Sequence, residues 1–391
     1  MRILHIIGTL NPEAGGPSQS VRVLVGYGPE VYPAEVVTLD DPAAPYLKDI
    51  GFPVHALGPT KGVYGSNPRL LPWLKENRHR FDGVVVNGLW QYCGYAAWRA
   101  LAGKTPYMVF THGMLDPYFK HAFPLKHLKK WLYWAPVEYW VLSNAYRVLF
   151  TSEAEKRLAE QSFWLHRWKP YVVPYGASGP TGAPERQRQS FFAKCPAVKD
   201  KRYLLYLGRI HRKKGCDMLI DAFAKVAADD PELNLVMAGP DQQQWSEQLQ
   251  QTAEHSGISN RVHWPGMVTG DAKWGAFLGC EAFILPSHQE NFGIAVAEAM
   301  ACGKPVLLSD QVNIAKDIAD SGAGLMELDT PEGTLRLLQR WIATPAQQRK
   351  DMADKACLCF QQHYDMRENA RTIVRLFEAA TQMKPRSIET E

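Results

Sequence analysis

Apolar positions in this chain fall into short unbroken runs with no polar face, the pattern of parallel strands buried on both sides and joined by helices. In the first half the runs are Arg2–Ile7, Glu35–Leu39, Val54–Leu57, Gly83–Val86, Tyr107–Phe110 and Arg147–Thr151, and Lys169–Gly176 closes that half. Tyr203–Leu207, Leu233–Ala238, Val262–Val268, Ala282–Leu285 and Val306–Leu308 restart the pattern. The alternation predicts an α/β protein of two Rossmann-like domains. Between the halves, the polar stretch rich in Pro and Gly from Ala177 to about Cys195 reads as the interdomain connection. Pro331–Gln362 reads as mostly helical. A last helix, Met366–Met383, offers Ile373, Val374, Leu376 and Phe377 as an apolar stripe ahead of a frayed tail, Lys384–Glu391.

Length agrees with that division. The 391 residues suit two domains of nearly equal size, each able to bury its own core, here 1–176 and 177–365. A hydrophobic content of 46% with 21% charged residues is that of a globular enzyme. No apolar run has the length to span a bilayer, and Met1–Ile7 leads into Gly8–Pro12 without a signal-peptide cleavage pattern, so the expected location is the cytoplasm. Seven scattered cysteines without metal-like spacing are expected to be reduced and mostly buried.

The net charge of +4 is unevenly spread: residues 1–175 hold 19 Lys and Arg against 13 Asp and Glu. No nucleic-acid motif accompanies this excess, which argues against a nucleic-acid partner and for an anionic membrane surface or a phosphorylated acceptor. From Pro117 to Val137 there is no acidic residue, while Lys120, Lys126, Lys129 and Lys130 interleave with Phe119, Phe123, Trp131, Tyr133 and Trp134. Two readings stay open for 117–140: a helix on an anionic membrane interface, or a domain-surface helix whose aromatics form core.

The chemistry concentrates in Phe283–Ser309, which reads as strand, loop, helix, turn and strand. Its loop belongs at the carboxyl edge of the sheet, where open α/β folds bind ligands. Glu290 lies in that loop and Glu298 about a turn and a half into the helix, which runs roughly Gly293–Cys302. Carboxylates accept hydrogen bonds from diols, and the backbone N–H groups around Phe292, Gly293 and Ile294 form a helix-start anion site. Diol, phosphate and diol outline a nucleotide sugar, although two carboxylates eight apart are also common on helix surfaces. A second cationic loop, Gly208-Arg209-Ile210-His211-Arg212-Lys213-Lys214-Gly215, follows a buried strand and aims Arg209 and Lys214 at the same edge. Guanidinium and ammonium together suit a leaving pyrophosphate. In the first half, His112 sits at a strand's carboxyl end in Thr111–Pro117, and Gly15-Gly16-Pro17-Ser18 opens a helix that Ser18 can cap. That loop lacks the G-x-G-x-x-G of nicotinamide dehydrogenases. Ser152-Glu153-Ala154-Glu155 reads as a capped helix start.

The run Ser287–Val306, S-H-Q-E-N-F-G-I-A-V-A-E-A-M-A-C-G-K-P-V, closely resembles the E-x7-E signature of retaining GT-B glycosyltransferases of family 4 (glycosyltransferase group 1). The resemblance implies a GT-B fold, two Rossmann-like domains facing across a cleft, with the last helix returned to the first domain. It implies donor contacts at Gly16, Gly239, Met267, Val268, Asn291, Phe292, Gly293, Ile294 and Glu298. The matching G-R-x3-x-K-G loop places Arg209 and Lys214 on the donor diphosphate, while H-G-M-L-D-P places His112 beside the donor sugar. Glu290 would hold sugar hydroxyls and Glu298 the ribose. Tyr175 stands where the family usually has Asn, so the role of that Asn is not carried over. The implied activity is retaining transfer of a hexose-type sugar from a UDP- or GDP-sugar to a glycan or lipid-linked saccharide. Such a step would serve exopolysaccharide, O-antigen or other glycoconjugate biosynthesis at the inner face of a membrane. No D-x-D sequence is present, and no metal or other cofactor is expected. The alternatives are a nucleotide-sugar epimerase of the same fold and a non-catalytic nucleotide-sugar-binding module.

Overall fold

The structure, a computed structural model, describes residues 1–26, 31–48, 50–60, 62–118, 120, 124–241 and 244–382. Phe119, Phe123, Met383 and the tail from Lys384 lie outside the described residues.

The chain groups into two compact units. The first takes in Met1–Gly176 together with the helix Met366–Gln382, and the second is Ala177–Asp365. The first unit is built on a seven-stranded sheet of β1 (Ile3–Ile7), β2 (Ala34–Thr38), β3 (Val54–Ala56), β4 (Gly83–Asn87), β5 (Tyr107–Phe110), β6 (Arg147–Phe150) and β7 (Pro170–Val172). Its order is β3-β2-β1-β4-β5-β6-β7, and every pairing is parallel. The second unit carries six parallel strands, β8 (Arg202–Leu207), β9 (Leu233–Ala238), β10 (Val262–Gly266), β11 (Ala282–Leu285), β12 (Val306–Ser309) and β13 (Gly324–Glu327). Their order is β10-β9-β8-β11-β12-β13.

Both sheets are wound outward from a central pair, so the direction of winding reverses between β1 and β4 in one and between β8 and β11 in the other. At such a reversal the loops leaving the two strands turn to opposite faces and open a crevice at the carboxyl edge. Each unit therefore places one crevice by topology alone.

Central strands β1, β4, β5, β9, β11 and β12 are buried along their whole length, which accounts for the unbroken apolar runs. β13 is missing from the sequence reading because it starts on a glycine and is only partly buried. Three other readings need correction. The stretch read as a connection contains a helix, Pro184–Lys194, that starts on Pro and buries Phe191. That helix packs so closely on Gly270–Gly279 that a methyl group at Gly275 would lie 2.0 Å from the Gln187 carbonyl oxygen. Ser18 does not cap its helix, which already begins at Gly16, and its hydroxyl is buried without a partner among the described residues. Val268 lies beyond the end of β10.

All seven cysteines are free thiols, five of them buried. Among the described residues no helix is long and apolar enough to cross a membrane.

The helix Met366–Gln382 buries Ile373, Leu376 and Phe377, and the Phe377 ring lies against Gly83 at the start of β4, where a methyl group would approach it to 2.4 Å. Phe377→Ala should therefore leave a void at the sheet and destabilise the first unit by roughly 3–5 kcal/mol, read as a lowered midpoint for that unit in urea titration of the full chain.

Candidate active site

Two glycines set the carboxyl edge of the second unit. Gly215, at the end of the β8 loop, has φ +65°, and a side chain there would put its Cβ 2.0 Å from the Pro286 carbonyl oxygen in the β11 loop. Only glycine lets these backbones meet. The contact is then closed by hydrogen bonds: the His288 N–H and the Ser287 hydroxyl both donate to the Lys213 carbonyl, at 2.9 and 3.1 Å. Gly239, after β9, repeats the device against the Gly208 carbonyl oxygen, 1.8 Å from its would-be Cβ, and its N–H donates to Gly266 O.

This approach brings Lys214 and Glu290 together across the β8–β11 reversal. The Lys214 ammonium donates directly to the Glu290 carboxylate. Glu290 is fixed by its backbone as well, its N–H donating to Gln311 O and its carbonyl accepting from Asn313 N, each at 3.0 Å. Asn291 accepts from the Asn313 amide at 3.2 Å. Arg209 stands exposed on the same loop as Lys214, and its guanidinium makes no hydrogen bond or ion pair among the described residues. Phe292 is buried edge-on against Tyr364, so its side chain is packing. Gly293, at φ +76°, caps the helix Ile294–Ala301, with its would-be Cβ 3.3 Å from Glu290 Cγ. The first-turn N–H groups of that helix have no intrahelical acceptor, which makes them an anion site.

Glu298 sits in that helix and pairs with Lys273, 2.6 Å away on the helix Gly270–Gly279. Burial raises the Glu298 carboxyl above its usual range, and Lys273 opposes the shift. The sequence reading missed Lys273, which stands on a helix where lysine usually means solvent. Met267 is exposed and Val268 buried in the loop after β10, and the Lys194 ammonium donates to Met267 O at 3.4 Å.

In the first unit the crevice residues follow β1, β4 and β5. His112, after β5, has φ +53°, a strained conformation for a residue with a side chain. Glu155 holds it there. That buried carboxylate accepts from the Thr111 hydroxyl and from Gly113 N at 2.7 Å on either side of His112, and from Thr151 N and its hydroxyl, both at 2.6 Å. The Ser152 cap forms, accepting from Glu155 N at 3.0 Å, but Glu155 spends its carboxylate on the His112 loop rather than closing a capping box.

The His112 ring stacks on Phe110 and lies tilted against Tyr175, the residue standing in place of the family's Asn, the three rings forming one cluster. Burial pushes its pKa down to about 3, so it is neutral. The Asn87 amide nitrogen donates to Ile6 O and Val85 O, which turns the amide oxygen toward His112 Nε2 at 3.3 Å. Nε2 is then the donor, and Nδ1 is a buried acceptor without a partner among the described residues. Such a ring can take one hydrogen bond from a hydroxyl.

The β1 loop is tied by Asp40, which accepts from the Thr9 and Tyr46 hydroxyls and from Leu10 N. Gly16 follows that loop, and its Cα faces open space. Among the described residues no three His, Cys, Asp or Glu side chains gather as a metal-binding group.

Two family profiles match the chain, one described as glycosyl transferases group 1 over residues 187–357 and one described as glycosyl transferase 4-like domain over residues 15–176. The chain is 30% identical over 158 residues to a D-inositol 3-phosphate glycosyltransferase of Streptosporangium roseum, 38% of this chain and 36% of that protein. It is 28% identical over 176 residues to a mannosylfructose-phosphate synthase of Agrobacterium fabrum, 41% of this chain and 37% of that one. These matches span little more than a third of either relative. Among solved structures, a sucrose-phosphate synthase from Thermosynechococcus elongatus aligns with a TM-score of 0.75 at 19% identity, over 97% of this chain and 99% of that one. HepE of Anabaena, solved in complex with UDP and glucose, aligns with a TM-score of 0.74 at 20% identity, over 97% and 100%. At such identities the likeness establishes the fold, which is GT-B.

Two outcomes follow from the buried pairs. Lys273→Met should destabilise the second unit by about 1–3 kcal/mol near neutral pH. A carboxyl whose folded pKa is raised favours folding when protonated, so the loss should be smallest below the usual value of 4.5 and grow as pH rises through the folded value. Urea titrations at pH 5 and pH 8 read the difference. Glu155→Gln brings an amide N–H against donors and should cost about 1–3 kcal/mol in the first unit, read the same way.

Proposed function

The chain belongs to the group 1 glycosyltransferases, and from that premise we propose that it moves a hexose-type sugar from a nucleoside-diphosphate sugar to a hydroxyl of a glycan or lipid-linked saccharide, with retention at the anomeric carbon. The observation that carries this reading is the meeting of Lys214 with Glu290 at the β8–β11 reversal, beside the free Arg209 and the Gly293 helix start. A cationic loop, an anion-binding helix start and two carboxylates within one sheet edge match a diphosphate flanked by two sets of hydroxyls.

In this proposal Arg209, Lys214 and the amides after Gly293 take up the negative charge that grows on the diphosphate as the bond from C1 to the phosphate oxygen breaks. The acceptor hydroxyl attacks C1 from the same face, forming the new C1–O bond, and its proton passes to the departing phosphate oxygen. No protein nucleophile is used, which differs from double-displacement glycosidases. Glu290 accepts from sugar hydroxyls with the oxygen that Lys214 leaves open, and Glu298 accepts from the ribose. His112, neutral and with Nδ1 unsatisfied, accepts one further hydroxyl. Since the cations that offset the leaving group are protein side chains, the transfer is proposed to need no divalent metal. The donor is a UDP- or GDP-sugar, and HepE with bound UDP and glucose supports the UDP alternative. A lipid-linked acceptor, as in exopolysaccharide or O-antigen assembly, would set the reaction at the inner face of a membrane.

The test is thermal stability against UDP-, GDP-, ADP- and CMP-sugars in EDTA. One nucleotide class at about 100 times its Kd should stabilise the wild type by roughly 2.7 kcal/mol, with the effect lost in Arg209→Ala and Glu298→Ala. Failure of all four classes at saturation would remove the donor site from the proposal. Donor consumption that requires an added acceptor separates transfer from epimerisation.

A further inference from the structure

We propose that the helical run Pro124–Ser143 is a membrane-surface element, and that the surface it takes is a bilayer rich in anionic lipid. The run is a helix over Pro124–Tyr133, a wider π turn over Trp134–Glu138 and a helix over Tyr139–Ser143. Its inner face is anchored by aromatic rings: His127 stacks on Phe163 at 4.7 Å, Trp131 meets it edge-on at 5.1 Å, and Trp134 stacks on it at 4.1 Å. The Trp134 indole N–H donates to Leu165 O at 2.6 Å, which locks the Phe163 loop beneath the helix. With that face satisfied, the other should be polar.

It is not. Leu125, Leu128 and Leu132 fall at positions i, i+3 and i+7, one stripe of a helix, and are 77%, 64% and 80% exposed. Trp164, 81% exposed, is held beside them by its ring contact with Trp131. Among the described residues, three leucines in one row thus leave most of their apolar surface uncovered. Interleaved with them, Lys126 and Lys129 are exposed, and no acidic residue occurs from Pro117 to Val137. The first acid after the row, Glu138, is fully buried, so it offers no charge to that face. An apolar stripe edged by lysines, with an indole at its margin, fits the boundary between headgroups and acyl chains of an anionic bilayer. Of the two readings of 117–140, the surface helix with inward aromatics is seen at His127, Trp131 and Trp134, and the membrane interface is what is proposed for the face that carries the leucines.

This inference stands apart from the sugar-transfer proposal, because it uses no residue of the candidate active site. The full chain should sediment with vesicles of phosphatidylglycerol and phosphatidylcholine in equal parts and not with phosphatidylcholine alone. Leu125→Ser/Leu128→Ser/Leu132→Ser should weaken that binding at least tenfold, and Lys126→Glu/Lys129→Glu similarly, with thermal midpoints unchanged because all five side chains are exposed. Absence of binding by the wild type, or retention of binding by the leucine variant, overturns the proposal. A shift from dimer to monomer in the leucine variant, with no vesicle binding by the wild type, would instead assign the row to a second copy of the chain.

Discussion

Gly215 beneath the Pro286 carbonyl is the contact on which the second unit's site depends. Lys213, Lys214, Ser287, His288 and Glu290 are drawn together because two backbones approach to a distance that no side chain permits. The residues on either side are more than seventy positions apart in sequence, so nothing local holds Lys214 against Glu290. Gly239 does the same for the neighbouring loop. The chemistry of the edge is thus carried by charged side chains, but its geometry is carried by the absence of side chains at two positions.

The buried and partly buried carboxylates of the two units are held in different ways. Glu290 and Glu298 each give one oxygen to a lysine, leaving the second oxygen for another partner. In the first unit, Asp40 and Glu155 are spent wholly on loops, one after β1 and the other around His112. The carboxylates of the second unit sit where ligand is proposed to bind, and those of the first hold backbone.

The strand content was legible because β1, β4, β5, β9, β11 and β12 are buried throughout and therefore mostly apolar, with His5, Asn87, Asn234 and Ser309 as their polar members. The GT-B fold was legible through the E-x7-E run, whose spacing reflects a loop and a helix that are contiguous in sequence. What escaped reading depends on distant partners. Glu155 looked like half of a capping box, since its tie to Thr111 and Gly113 spans more than forty residues. Lys273 carried no signal of its own, since Glu298 lies two elements away. The helix Pro184–Lys194 was hidden by the Pro and Gly that precede it, which signal a turn but also suit a helix start.

The return of Met366–Gln382 to the first unit has a consequence for how the protein is made. The sheet of residues 1–176 leaves the ribosome first, but the helix that seats Phe377 against Gly83 follows only after all of the second unit. At 5–20 residues per second that interval lasts roughly 10–40 s. During it, the nascent first unit exposes the apolar seat of its own final helix. The second unit, whose sequence is continuous from Ala177 to Asp365, has no such wait. Synthesis therefore proceeds through a stage in which the later half is complete and the earlier half is still open to chaperones.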